Sequence, residues 1–159
     1  MKQKAMFAAG CFWGVEYYFK KLSGVVAVES GYAGGHTQNP SYDDVCYKDT
    51  GHLEVVRVTY DASVVSYEKL VKYFFEIHDF TQVNGQGPDI GQQYLSAIFP
   101  SEEEREIVSA LIAQLSKNGY RVATQVLPQA EFWQAEDYHQ DYYAKTKKQP
   151  YCHRYQKIW

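Results

Sequence analysis

At 159 residues and 45% hydrophobic, the chain is long enough for one self-supporting core and too apolar for a disordered segment. Lysine and arginine number 16 against 19 aspartates and glutamates, a net charge of −3, so there is no electrostatic case for nucleic acid or an anionic membrane as partner. Three scattered cysteines, an odd number, argue against a secreted disulfide scaffold. Met1-Lys2-Gln3-Lys4 leads into too short an apolar run for a signal peptide, and no run reaches the roughly 18 residues of a membrane span. The chain reads as cytoplasmic.

In chain order, residues 4–9 read as a strand and 14–22 as a helix. Val15, Tyr18, Phe19 and Leu22 recur at i, i+3, i+4 and i+7, the stripe of an amphipathic helix. Between them Gly10-Cys11-Phe12-Trp13-Gly14 is a tight turn with its cysteine at the helix start. A thiol there lies near unpaired backbone N–H groups and the positive end of the helix dipole, which favour thiolate. Position alone favours a plainer reading, since a lone cysteine after an apolar strand is most often a small buried hydrophobe. Gly24 stops the helix, Val25–Ser30 reads as a strand, and Gly31-Tyr32-Ala33-Gly34-Gly35-His36 as a glycine-rich loop with no phosphate-cradle spacing. Residues 40–46 form a short helix with Ser41 as N-cap.

Leu53–Tyr60 alternates as a strand. Glu54 shares a face with Val56, Val58 and Tyr60. A carboxyl on that face has a raised pKa and stays protonated at neutral pH; at the strand end it instead points to solvent, and the pattern leaves both readings open. Ser66–His78 is a second amphipathic helix, residues 84–91 a loop, and Tyr94–Phe99 a strand. Ser101 and Glu104 form a capping box ahead of the clearest helix, which Asn118-Gly119 stops. Arg121–Leu127 alternates as a strand, residues 131–143 are part loop and part helix, and a basic aromatic tail follows from about residue 144. Alternating helices and strands over one core, with no linker or repeat, give an α+β class and a single domain over 1–159.

The pentapeptide Gly10-Cys11-Phe12-Trp13-Gly14 resembles the signature of methionine sulfoxide reductase A, the peptide-methionine (S)-S-oxide reductases. Gly51-His52-Leu53-Glu54 resembles that family's Gly-His-x-Glu, and Tyr42, Asp89, Tyr94 and the block Ala135–Gln140 match further family positions in order. The resemblance implies a two-layer α/β sandwich related to the ferredoxin-like arrangement, with an irregular C-terminal tail. It implies Cys11 as nucleophile toward the sulfoxide sulfur, protonated Glu54 as proton donor, and Tyr42 and Tyr94 as hydroxyls on the sulfoxide oxygen. Phe12 and Trp13 hold the S-methyl group and Asp89 the polar part of the methionine. Cys11 is left as a sulfenic acid, no bound cofactor or metal is required, and the external reductant is thioredoxin, or dithiothreitol in vitro. The expected substrates are oxidised proteins or free methionine sulfoxide, and the expected state is a monomer.

The tail departs from the family's glycine-rich pattern, since no glycine follows Gly119. Cys152 is the expected resolving cysteine by position; a stiff aromatic tail packed against the body leaves open that an outside thiol reduces Cys11 directly. Cys46 reads as a buried apolar residue, and His36, His78 and His153 as ordinary polar ones. Two other classes compete. In an acyl-transfer enzyme Cys11 is activated by His52 or His139 as base. A zinc module lacks any C-x-x-C pair.

Overall fold

The computed structural model describes residues 2–151 and 153–159. Its backbone is a six-stranded mixed sheet with helices interleaved: β1 (Lys2–Ala9), α1 (Phe12–Phe19), β2 (Val25–Ala33), α2 (Tyr42–Tyr47), β3 (Leu53–Asp61), α3 (Tyr67–Glu76), the hairpin β4 (Gly85–Gln86) and β5 (Asp89–Ile90), β6 (Ser96–Ile98), α4 (Arg105–Lys117), β7 (Gln125–Val126), β8 (Trp133–Gln134) and α5 (Tyr142–Thr146). The strand order is β7-β6-β1-β3-β2-β8. The four central strands pair antiparallel and only β7 joins parallel, so α1 and α3 are crossovers between strands of one sheet.

Alternation along the strands decides which residues meet which layer. From β1, Ala5, Phe7 and Ala9 face the helices; from β3, Val56, Val58 and Tyr60 do the same. Phe7 is the centre, with its ring 5.1 Å from Phe19 of α1 and 5.4 Å from Phe74 of α3. The opposite face holds a smaller cluster of Ala8, Ala33, Leu53, Val55, Ala97 and Phe99, covered by Phe132 and Leu127.

Helix starts follow the expected chemistry. Ser41 and Asp44 form a reciprocal capping box on α2, Ser66 caps α3, and Ser101 and Glu104 exchange the same pair of bonds ahead of α4. Three expectations are corrected. Gly31-Tyr32-Ala33 is not loop: it continues β2, because opposite it β3 offers Val55, Glu54 and Leu53 as ladder partners. Tyr94 is not in a strand: it sits in a 3₁₀ turn, Gln92–Tyr94, that precedes β6. Arg121–Leu127 gives only the two-residue β7.

The tail is docked. Gln156 N–H donates to the Glu76 carbonyl at 2.7 Å, Ile158 N–H to the Glu76 carboxylate at 3.0 Å, and Trp159 Nε1 to the Lys72 carbonyl at 3.1 Å, all on the last turns of α3. His153 is the deepest anchor, 5% exposed, with Nε2 bonded to the Ala9 carbonyl. Its ring fills the space beside Gly14, where a Cβ would overlap it at Nδ1; beside Gly10, whose φ of +92° strains side chains, a Cβ would overlap Gln86 and only touch the His153 ring. The motif glycines are therefore room for the tail as well as for the turn. His153 is thus no ordinary polar residue, and neither is His78, which is buried with Nδ1 donating to the Phe74 carbonyl and Nε2 accepting from Ser96 Oγ. Burial holds both below the usual imidazole range, His78 at about 3 and His153 at about 4.

Gly14→Ala is expected to destabilise the fold by about 1–3 kcal/mol, the range for forcing a methyl into a filled site. A urea melt measures it; an unchanged midpoint would mean that His153 does not occupy this slot in solution.

Candidate active site

β1 ends at Ala9, Gly10 turns the chain, and Cys11 occupies the N-cap position of α1, accepting the Gly14 N–H at its carbonyl at 3.2 Å. The thiol is 6% exposed. Glu54 leaves β3 toward the same place. Its register opposite Tyr32 puts it on the helix-facing side, so the solvent-pointing alternative is excluded: the residue is 1% exposed. Glu54 Oε1 accepts the backbone N–H of Phe12 at 3.1 Å, one of the orphan donors of the first turn of α1. Oε2 has no hydrogen-bond partner among the described residues. Burial, first, and the adjacent Cys11 and Asp89 raise the carboxyl well above its usual range, outweighing the Phe12 N–H that lowers it. That shift favours the protonated form of the carboxyl.

Two phenols face that acid. Tyr42 starts α2 and Tyr94 closes the turn before β6; burial raises both far above the ordinary phenol value, and the Glu54 carboxyl raises them further. Tyr42 and Tyr94 share a side-chain hydrogen bond. The structure thus brings Cys11, Glu54, Tyr42 and Tyr94 together from four separate elements. Asp89, at the hairpin, is near enough to act on Glu54, and both its oxygens accept from the Tyr151 hydroxyl at 3.3 Å. Cys46 is not the buried apolar residue expected. It is half-buried on α2, one turn beyond Tyr42, and its thiol exchanges hydrogen bonds with Tyr42 and Gln93.

Phe12 and Trp13 divide the apolar role between them. Phe12 is 1% exposed and packs on Tyr32 and His139, so it is the foundation of the wall. Trp13 is half-buried and is the part a ligand can reach. Its ring lies flat on Tyr142, centroids 3.6 Å apart and planes 5° apart, while its Nε1 donates to His139 Nδ1 at 3.0 Å. An indole N–H only donates, so His139 carries its proton on Nε2.

That pairing decides between the competing bases. His139 is neutral, its pKa lowered by burial, and its acceptor nitrogen is taken by Trp13. His52 accepts the Gly35 N–H at Nδ1 and donates to the Thr37 carbonyl at Nε2, so both ring nitrogens brace a loop. Neither histidine serves as base to Cys11. Among the described residues, no three of His, Cys, Asp or Glu cluster so as to hold a metal ion. Cys152, expected as the resolving cysteine, lies outside the described residues.

Sequence reading missed the residues that hold this set in place. Glu136 accepts the Tyr32 hydroxyl at one oxygen and the Tyr42 N–H at the other, both at 3.0 Å. Burial pushes its carboxyl up, but these donors prevail and hold it below its usual range. Gln140 bonds both the N–H and the carbonyl of Ser30, at 2.9 and 2.8 Å. The resemblance of the block Ala135–Gln140 to the family marked the segment, but not these contacts.

A thiol at a helix start, facing a buried carboxyl of raised pKa and two phenols on a mixed α/β sheet, defines a cysteine-centred enzyme in which acid rather than base chemistry accompanies the sulfur. The sequence profile of the family described as Peptide methionine sulfoxide reductase matches residues 3–158. Peptide methionine sulfoxide reductase MsrA of Saccharolobus solfataricus is 47% identical over 150 residues, covering 93% of this chain and 85% of the relative. The crystal structure of reduced Mxr1 from Saccharomyces cerevisiae superposes with a TM-score of 0.87 at 35% identity, covering 95% of this chain and 89% of that one. Methionine sulfoxide reductase A of Corynebacterium diphtheriae superposes with a TM-score of 0.82 at 38% identity, covering 92% and 76%. The chain belongs to the peptide methionine sulfoxide reductase family.

Glu54→Gln is expected to stabilise the fold as pH rises. The folded-state pKa of Glu54 lies above its unfolded value of 4.5, so the folded state holds a proton that the unfolded state loses, and wild-type stability falls as pH rises above 4.5. Melting temperatures of the two proteins should diverge in favour of the glutamine variant over the range above pH 4.5, until the raised folded-state value of Glu54 is passed. A constant difference across that range would mean that Glu54 titrates as an ordinary carboxylate.

Proposed function

We propose that the chain reduces methionine-S-sulfoxide, free or within oxidised proteins, to methionine, with thiols as the source of electrons. What supports this most directly is the buried Glu54 carboxyl beside Cys11, whose raised pKa favours the protonated form, because a sulfoxide oxygen cannot leave sulfur as a naked anion. The Cys11 thiolate attacks the electrophilic sulfoxide sulfur while Glu54 delivers its proton to the oxygen. Tyr42 and Tyr94, held protonated by burial, donate hydrogen bonds to that oxygen as charge develops. The substrate S-methyl group rests on Trp13, which Phe12 backs from the core, and Asp89 with Tyr151 binds the polar remainder of the methionine. The balance is one sulfoxide and one thiol giving one thioether and one sulfenic acid. The methionine sulfur gains two electrons and Cys11 loses two. No bound cofactor takes part.

Regeneration needs two further electrons. In our reading Cys152 condenses with the sulfenic acid, releasing water and forming a disulfide with Cys11, which thioredoxin then reduces; dithiothreitol replaces it in vitro. Mxr1 of yeast has been crystallised in complex with Trx2, an interaction of that protein which we carry to this chain. We read residues 1–159 as one catalytic domain working as a monomer in the cytoplasm; among the described residues no helix is long and apolar enough to cross a membrane.

The test is single-turnover reduction of racemic methionine sulfoxide by the pre-reduced protein, with thiols counted before and after. Consumption of one epimer and loss of two thiols is expected; loss of one thiol would keep the reductase and reject Cys152 as resolving group. Glu54→Gln, which retains a hydrogen bond but no transferable proton, should slow that turnover roughly 10²- to 10⁴-fold. An unchanged rate would reject Glu54 as the acid. Cys152→Ser should spare the first turnover and stop thioredoxin-driven cycling.

A further inference from the structure

Glu16 is a carboxylic acid inside the protein with no part in the chemistry above. It lies on α1 one turn beyond Phe12 and Trp13, and it is 2% exposed. Its Oε1 accepts the backbone N–H of Asp141 at 2.9 Å, and the N–H of Tyr142 also faces the carboxyl. Oε2 is buried without a hydrogen-bond partner among the described residues. The groups around it are Ser30 from β2, Lys20 one turn along the same helix, Lys145 from α5, and the Asp141 carboxylate, which pairs with Lys20. Burial dominates this balance and raises Glu16 to about 7, against the opposing pull of Lys20 and the backbone donors. A buried acid kept at that disadvantage is there for what it holds.

What it holds is an unusual turn. Asp141 has φ +54° and ψ +35°, a left-handed conformation that a non-glycine residue keeps only where its surroundings impose it. The residue before it, Gln140, is clamped to Ser30 through both its amide atoms. The residue after it, Tyr142, is the ring stacked on Trp13, and two residues earlier His139 accepts the Trp13 N–H. The Glu16 contact therefore falls between the two partners of Trp13 and ties them to the helix that carries Trp13 itself.

We infer that Glu16 is a positioning residue for substrate binding: by capping the left-handed turn at Asp141 it sets Tyr142 and His139 against Trp13, and so fixes the plane of the indole that receives the S-methyl group. The last clause rests on the reading of Trp13 given above. Residues 12, 13 and 16 are neighbours on one helix face, so the device is closed: one turn of α1 presents both the indole and the carboxyl that secures the indole's supports. Cys11 and Glu54 are held by other contacts, and the chemical step is left to them.

The experiment compares Glu16→Ala, which removes the acceptor, with Glu16→Gln, which keeps one. Each is measured for KM and for rate at saturating methionine sulfoxide, and for the fluorescence of Trp13, isolated by subtracting the spectrum of the corresponding Trp13→Phe protein. Glu16→Ala should raise KM roughly ten- to a hundredfold, the scale of a misplaced binding group. Its saturated rate should stay within about threefold of wild type and its Trp13 emission should change. Glu16→Gln should restore KM and emission together. If Glu16→Ala does not fold, Glu16→Asp, one methylene shorter, is judged by the same readouts against Glu16→Gln. Wild-type KM and emission in the alanine or aspartate protein would overturn the inference, as would an equal fall in saturated rate, or a glutamine variant that fails to restore them. Trp13→Ala separates the two readings. If it leaves KM unchanged, the methyl-wall assignment falls, while the emission change in Glu16→Ala still decides whether Glu16 positions Trp13.

Discussion

The burial of Glu54 is the constraint on which the site depends. A carboxyl on the middle strand of a sheet, facing Phe12 rather than water, is held there by everything that makes that face a core: Val56 and Val58 beside it and α1 across it. An ionised group in that position would lack the solvation that its charge requires. Burial favours its neutral form, and the fold sets one backbone N–H on one oxygen and leaves the other oxygen unspent. In the proposed reaction that unspent oxygen is the one that delivers the proton. Had a second donor satisfied it, the site would be more comfortable and the proton less available.

Around this acid the segment 135–142 acts as a belt. Ala135 N–H bonds the Ser30 carbonyl, Glu136 joins Tyr32 to the start of α2, His139 and Tyr142 grip Trp13, and Gln140 returns to Ser30. Every one of these contacts spans about a hundred residues of sequence. The belt therefore closes only when the sheet has formed, and it ties Tyr32, Tyr42 and Trp13 to one segment through side-chain hydrogen bonds and a ring stack. Rigid geometry at the site follows from this arrangement, because no single loop sets the position of the reacting groups.

Local chemistry was legible in the chain and long-range pairing was not. Ser41 and the Ser101–Glu104 pair announced two helix starts because capping is decided within four residues. The strand carrying Glu54 was plain from alternation, but its buried face was not, since the choice depends on α1 packing above it. Gly31-Tyr32-Ala33 read as loop because glycine weakens strand preference, yet Leu53, Val55 and the β8 edge supply partners on both sides. Cys11, Glu54, Tyr42 and Tyr94 came from motif resemblance, and geometry then brought them together. Glu16, Glu136 and Gln140 escaped notice because an acid or amide within a helix or loop looks solvated until the partner backbone is known.

The docked tail bears on how the oxidised sulfur is recovered. A glycine-rich tail reaches an active site by moving; this one lacks glycine and is fastened from residue 153 onward to Ala9, Glu76 and Lys72. Fastening does not remove the chain from the sulfur. His153 sits against Gly10 and Gly14, the two residues that bracket the Cys11 turn, so the polypeptide is already delivered to that turn by packing. Anchoring of this kind avoids the conformational entropy that a mobile tail would lose on docking. Gly14 leaves the slot that the His153 ring occupies, and this contact joins the bonds to Glu76 and Lys72 in fastening the tail to the body.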